Sequence, residues 1–309
     1  MIRRGNIYIL CILLNQLLVM SVIMVFRPQI SDSPYSMAGF MIITQLFCFV
    51  PPLLIYGIAV KPKSLLSFKP IGIMNTVFVF FMCLAIQPVM LVLSALSMIF
   101  FENPVGDMLS SLSQVPLPVT LFVMAVMPAV LEEITMRGVV LKNYEGLPIK
   151  KAAIINGVLF GILHLNPQQF LYAMLLGIVF AYYAYYTESL WAPILGHFII
   201  NATQIIIGTA SARMIEAMPA ETQKVMESPA VSDFVSAGIF LIVLNIIFIP
   251  VFIILFRSFI DYNKRRRVVS AMESPEPTIE TPPAQTSAQV FDWAFIAIIL
   301  FYVLYLGVF

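Results

Sequence analysis

The stretch VTLFVMAVMPAVLEEITMRGVVLKNY, residues 119–144, decides the fold class. It is longer than the roughly 20 helical residues that cross the hydrocarbon core of a bilayer, so it predicts a transmembrane helix. The whole chain has the same character, because 61% of its 309 residues are hydrophobic and only 11% are charged. Its mean hydropathy is +0.96. We therefore predict an all-α, polytopic transmembrane helix bundle rather than a soluble enzyme or a disulfide scaffold.

Further apolar windows, separated by polar or proline-rich breaks, lie on both sides of this stretch. Together they predict about eight core spans and one C-terminal span that a linker tethers to the rest. The predicted spans are 7–26, 38–60, 73–101, 119–144, 152–165, 170–186, 190–208, 234–256 and 290–309.

The breaks in composition divide the chain into five parts. N-terminal spans occupy residues 1–118. Residues 119–209 form a core whose predicted spans contain charged and polar residues. Residues 210–269 hold an outer loop, the eighth span and the basic cluster Lys264–Arg267. Residues 270–289 are rich in Pro, Glu, Thr and Ser, which predicts a disordered linker, and residues 290–309 form the last span.

Cationic residues predict the orientation, since Lys and Arg are enriched in cytoplasmic loops. Arg3, Lys61, Lys63, Lys142 and the cluster Lys264–Arg267 fall on one side if the N-terminus is cytoplasmic. We expect a multi-pass protein of a plasma membrane, and the compact chain favours a bacterial one. The formal net charge of +1 gives no surface for nucleic acid, so the expected partners are the bilayer and a membrane-associated peptide or protein.

Charged residues inside the predicted spans are functional candidates, because burying them in a membrane is costly. The fourth span contains Glu132, Glu133 and Arg137. Residues four apart share a helix face, so Glu133 and Arg137 are expected to pair and to orient the site. Glu132 then lies on another face without a partner in its own helix, which makes it the candidate general base.

Both histidines of the chain fall in predicted spans within the same third of the sequence as the glutamates. His164 lies in the fifth span, with Phe160 one turn earlier as a wall of the site. His197 and Asn201 lie four residues apart in the seventh span and can present two donors to one point. A Gly157-x-x-x-Gly161 spacing predicts close approach of another helix to the fifth span.

These three groups resemble the EExxxR, FxxxH and HxxxN motifs of the CAAX protease and bacteriocin-processing (CPBP, or Abi) family. The motif residues are Glu132, Glu133 and Arg137, then Phe160 and His164, then His197 and Asn201. The resemblance implies an intramembrane endopeptidase similar to the type II CAAX prenyl proteases, with residues 119–209 as its catalytic core.

The resemblance also implies roles for the individual residues. Glu132 and His164 would activate a water molecule, and His197 and Asn201 would stabilise the oxyanion. No cofactor is favoured, although Glu132, His164 and His197 would suit zinc in a metalloendopeptidase. Two other functions stay open at this point, namely a proton-coupled transporter and a non-catalytic membrane scaffold or immunity protein.

Overall fold

The computed structural model describes residues 1–26, 33–60, 67–112, 114–219, 221–222, 231–273 and 290–308. Every regular element within these ranges is a helix, which confirms the all-α, polytopic prediction. The helices are α1 (Ile2–Phe26), α2 (Pro34–Val60), α3 (Gly72–Met98), α4 (Pro104–Ser111), α5 (Leu117–Asn143), α6 (Ile149–Leu163), α7 (Pro167–Thr187), α8 (Trp191–Glu216), α9 (Val231–Glu273) and α10 (Trp293–Val308).

Seven helices of the described part are long and apolar enough to cross a membrane, so the chain is an integral membrane protein. They are α1, α2, α3, α5, α7, α8 and α9. The fifth predicted span differs from the others, because its helix α6 has only 15 residues. Such a helix rises only about 22 Å, which is short of the roughly 30 Å of hydrocarbon. Helix α10 has 16 residues and is also short.

Helices α6 and α7 form a tight hairpin, and the predicted close approach at the glycines is confirmed. A Cβ added at Gly157 would lie 2.6 Å from the Met174 carbonyl oxygen, and one at Gly161 would lie 2.9 Å from the Phe170 carbonyl oxygen. These distances leave no room for a side chain, so the two backbones are in direct contact. The hairpin turn begins at His164, directly after the end of α6.

Helix α5 is not a regular α-helix, since residues 122–126 and 134–140 form wide, π-helical turns. The Met127 N–H bonds the carbonyl of Phe122, and the Leu141 N–H bonds the carbonyl of Met136, each five residues back. Such turns leave some backbone groups without a partner in their own helix and are frequent at functional sites. The two glutamates lie between them, in the α-helical turn Met127–Glu133.

The C-terminal part departs from the prediction of a linker that starts at residue 270. Helix α9 continues to Glu273, so residues 270–273 are helical, and residues 274–289 lie outside the described residues. Helix α10 is docked on α1, because Asn6 Nδ2 donates to Val290 O at 3.0 Å and to Asp292 Oδ1 at 3.1 Å. The other domain boundaries stay predictions.

Candidate active site

Glu133 is the centre of a buried ion pair. Its Oε1 accepts from Arg137 Nη1 at 2.8 Å and from His197 Nδ1 at 2.9 Å. The side chains of Glu133 and Arg137 are both 0% exposed. The predicted pairing of these two residues is therefore confirmed, and the structure adds His197 as a further partner. A carboxylate shared by two donors holds α5 and α8 in a fixed relation.

Aromatic rings enclose the guanidinium of Arg137. Its Cζ lies 4.7 Å from the ring centroid of Phe160 and 5.5 Å from that of Phe180. Its Nη2 donates to the Gly177 carbonyl at 2.9 Å, which ties α5 to α7. The face of an aromatic ring attracts a cation, so this pocket stabilises the buried charge. Arg137 thus connects the helix that carries the glutamates to the α6–α7 hairpin.

Glu132 and His164 face each other across the site. His164 Nε2 lies 3.9 Å from Glu132 Oε2, and the two side chains are 17% and 15% exposed. Glu132 Oε2 is buried and has no hydrogen-bond partner among the described residues. The described contacts agree with the prediction that Glu132 has no partner in its own helix, and the structure places its carboxylate next to a histidine from another part of the chain.

The hydrogen bonds of the two histidines show which ring nitrogen carries a proton. His164 Nδ1 lies 2.8 Å from the Phe160 carbonyl oxygen, which only accepts, so Nδ1 carries the proton. In the neutral form His164 Nε2 is then an acceptor that faces Glu132. The same reasoning puts a proton on His197 Nδ1, against the Glu133 carboxylate. Each imidazole ring is oriented by the hydrogen bond that its Nδ1 makes.

Asn201 is held by a backbone carbonyl of α5. Its Nδ2 donates to Met124 O at 3.1 Å. The carbonyl is open to a side chain because Pro128, one helical turn later, has no N–H to offer it. One N–H of the Asn201 amide is used in this way, and its second N–H stays free to donate elsewhere.

These groups converge on one cavity of about 320 Å³ that lies among the spans. It is lined by all four predicted catalytic residues and by Phe160, whose ring lies 4.9 Å from that of His164. The catalytic candidates are Glu132, His164, His197 and Asn201. The structure therefore brings together every residue that the three motifs single out. Their roles in a reaction stay predictions.

The sequence allows zinc at Glu132, His164 and His197, and the described geometry gives this set no support. Within the ranges that the structure describes, no group of three or more His, Cys, Asp or Glu side chains is arranged to hold a metal ion. The bond from His197 Nδ1 to Glu133 does not decide the matter, because metal-binding histidines commonly donate their other ring N–H to a carboxylate. The zinc set therefore stays a prediction.

Several contacts of the site were not anticipated. The ring of Phe180 stacks on that of His197 at 5.6 Å, and the carbonyls of Gly177 and Met124 anchor Arg137 and Asn201. Nothing distinguishes Phe180 in a sequence with 25 phenylalanines. Pro128 was a usable signal, since a proline within a membrane helix frees a carbonyl that a polar side chain must satisfy.

Comparisons with known proteins match the stretch of the chain that carries the motif residues. Residues 114–203 match the model of the family described as Rce1-like, type II CAAX prenyl endopeptidase. A Bacillus subtilis (strain 168) protein named "Putative membrane peptidase YdiL" is 30% identical over 91 residues. The match covers 29% of this chain and 37% of that protein, so the chain matches little more than a third of the relative's length. No solved structure matches the chain. Residues 114–203, which carry all the motif residues, are thus similar to the type II CAAX prenyl endopeptidase family, in line with the resemblance of the three motifs.

Proposed function

We propose that the protein is an intramembrane endopeptidase that hydrolyses a peptide bond of a membrane-associated peptide or protein. One observation carries the proposal. An unpaired carboxylate oxygen of Glu132 lies 3.9 Å from the acceptor nitrogen of His164, at a cavity among membrane-spanning helices. Two acceptors that face each other at this distance suit a molecule that donates twice, and water is such a molecule.

The distance is compatible with one bridging water. Two hydrogen bonds of about 2.8 Å from a single oxygen reach two atoms 3.9 Å apart when the angle between them is about 90°. The water would donate one proton to Glu132 Oε2 and the other to His164 Nε2. Its lone pairs would then be available to attack a carbonyl carbon, with Glu132 as the general base.

The remaining residues suit the later steps. The water oxygen bonds to the carbonyl carbon, and the proton that it loses goes to Glu132. The free N–H of Asn201 would donate to the oxyanion, and His197 would donate from Nε2 when it is protonated on both nitrogens, beside the Glu133 carboxylate. The C–N bond then breaks, and Glu132 returns its proton to the leaving nitrogen. Glu133 and Arg137 orient these groups, and the proposal assigns no step to a metal.

The cellular setting follows from the sequence. We place the protein in a bacterial plasma membrane with its N-terminus in the cytoplasm, because the cationic loop residues then lie on the cytoplasmic side. Lys61 and Lys63, which contribute to this argument, lie outside the described residues. The substrate is a peptide or protein that reaches the cavity from the bilayer.

The test compares membrane proteins from cells that produce wild type, Glu132→Gln or Glu102→Gln. Glu102 is exposed in the turn after α3 and serves as the matched control. We expect new peptide termini in the presence of wild type and Glu102→Gln, and none with Glu132→Gln at equal abundance. The same termini in the presence of Glu132→Gln would contradict the proposed mechanism. Cellular function that persists without such termini would favour a transporter or a scaffold.

A further inference from the structure

Two glutamines from the N-terminal helices line the same cavity as the motif residues. Gln16 belongs to α1 and Gln45 to α2, so both lie outside the family match at residues 114–203. Gln16 Nε2 donates to the Leu163 carbonyl at 3.3 Å, and Gln45 Nε2 donates to the Val123 carbonyl at 2.9 Å. Leu163 directly precedes His164 in the chain.

These bonds fix the direction of each carboxamide. A backbone carbonyl only accepts, so the nitrogen end of each side chain must face it, and the oxygen end must face away. The oxygen Oε1 of Gln16 and that of Gln45 are buried and have no hydrogen-bond partner among the residues described. Buried acceptors without a partner destabilise a folded protein, so at a cavity they are sites for a donor that water or a bound ligand brings.

Each anchor lies next to a different part of the reactive site. The Leu163 carbonyl belongs to the end of α6, beside His164, whereas Val123 precedes the carbonyl that holds Asn201. Asn201 offers a donor to a bound ligand through the second N–H of its amide. The glutamines offer acceptors. A peptide backbone needs both kinds of partner when it leaves water.

We propose that Gln16 and Gln45 bind the substrate by accepting hydrogen bonds from its backbone N–H groups. This assignment rests on the peptidase function proposed above and specifies the form in which the substrate binds. The N–H groups of a helix are already bonded within the helix, so the bound segment is extended and not helical. Recognition through the backbone is tolerant of side chains, and several substrates of different sequence would fit.

The test measures binding separately from cleavage. A pool of fluorescein-labelled, randomised heptapeptides is offered to the full chain in detergent micelles, in the inactive Glu132→Gln background. Fluorescence anisotropy measures the affinity of the best binder for the Glu132→Gln variant. It is measured again for two double variants, in which Glu132→Gln is combined with Gln16→Leu or with Gln45→Leu. We expect each leucine to weaken binding about 10-fold, the loss that corresponds to one hydrogen bond. Asn15→Leu is the matched control, since Asn15 also donates to backbone carbonyls but is absent from the cavity lining.

Modified peptides keep the test independent of folding. Each backbone N–H of the binder is replaced in turn by N–CH₃. We expect two positions at which this change weakens binding to the glutamine protein about 10-fold, and each effect should vanish in one of the two leucine variants. If N-methylation weakens binding equally in the presence and absence of the glutamines, the inference is overturned. A peptide pool that contains no binder would also overturn it.

Cleavage of the same peptide by protein with Glu132 intact separates this inference from the proposed function. Binding that depends on the glutamines without cleavage by the active protein would contradict the peptidase and leave the binding site in place. Cleavage with a KM that neither leucine variant changes would support the peptidase and overturn the assignment of the glutamines.

Discussion

Glu132 Oε2 and His164 Nε2 lie 3.9 Å apart although the two residues belong to different helices. Their separation depends on the α6–α7 hairpin, because His164 lies at the hairpin turn and the hairpin is attached to α5 through Arg137 and Gly177. The reactive pair is thus positioned by contacts that lie one to two helical turns from it.

Removal of the reactive groups is expected to abolish activity without unfolding the protein. Glu132→Gln and His164→Gln should each lower kcat at least about 100-fold, the usual contribution of a general base. The melting temperature of Glu132→Gln should equal or exceed that of wild type, because the substitution removes a buried carboxylate oxygen that has no partner. Thermal denaturation in micelles and cleavage of the peptide found in the terminus comparison provide the measurements. A clear drop in the melting temperature would argue that Glu132 is structural.

Arg137→Met, unlike Glu132→Gln, is expected to destabilise the fold. The substitution leaves the Glu133 carboxylate buried with one donor fewer, which typically costs about 3–5 kcal/mol of unfolding free energy. Unfolding in mixed micelles of increasing denaturing detergent would report the loss. Arg213→Met, in an exposed part of α8, is the control and should have little effect. If both variants unfold alike, the buried ion pair does not stabilise the protein.

Gly157→Ala tests whether hairpin packing positions His164. The added methyl would lie 2.6 Å from the Met174 carbonyl oxygen, so α6 and α7 must separate. We expect a loss of about 1–3 kcal/mol in stability, typical of overpacking, together with reduced cleavage. The control is Gly39→Ala in α2, where nothing lies within 4 Å of the added atom. Full activity of Gly157→Ala would show that the site does not depend on this contact.

Pro128→Ala is expected to raise the stability of α5 while it lowers activity. Alanine restores an N–H that competes with Asn201 and Gln45 for the carbonyls of Met124 and Val123. Cleavage should fall about 10-fold, which is the effect of one lost hydrogen bond. The melting temperature should not fall. Pro51→Ala in α2 is the matched control. A similar loss of activity in both variants would contradict the competition for the carbonyls of Met124 and Val123.

Metal removal is expected to leave the reaction unchanged. Incubation of purified protein with 1,10-phenanthroline or EDTA should change the rate of cleavage by less than about twofold, because the proposed water is activated by side chains. Peptide cleavage before and after dialysis against the chelator is the measurement. Loss of activity that zinc restores would show that the enzyme is a metalloendopeptidase.

The sequence was sufficient for the fold class and for selecting polar residues that meet around one cavity, since both depend on strong signals. Long apolar windows specify spans, and charged residues within them have few places to lie. The spacing of Glu133 and Arg137 was enough to predict their pairing. The sequence did not reveal that His197 joins them, because two residues that are 64 positions apart meet only through the packing of whole helices.

Other differences from the predictions have local physical causes. The apolar window at residues 152–165 has the composition of a span, but its helix ends at Leu163, before it is long enough to cross the bilayer. The wide turns in α5 were not anticipated, since an apolar pattern does not distinguish hydrogen bonds to the fourth residue back from those to the fifth. Gln16 and Gln45 escaped notice because a glutamine in a span is uncharged and has no fixed spacing to its partner.

The wide turn at residues 134–140 gives α5 a place where a change of length can be absorbed. Each wide turn accommodates about one residue more than a regular turn, as if a single insertion had been taken up by the helix. Deletion of one residue there would restore regular winding with little rotation of one half of the helix against the other. A deletion in the regular turn Met127–Glu133 would instead rotate the two halves by about 100°, so that the glutamates and the part of the helix that follows them would face different neighbours. Evolution is therefore expected to change the turn that carries the glutamates by substitution alone, and to tolerate changes of length in the wide turns and the loops.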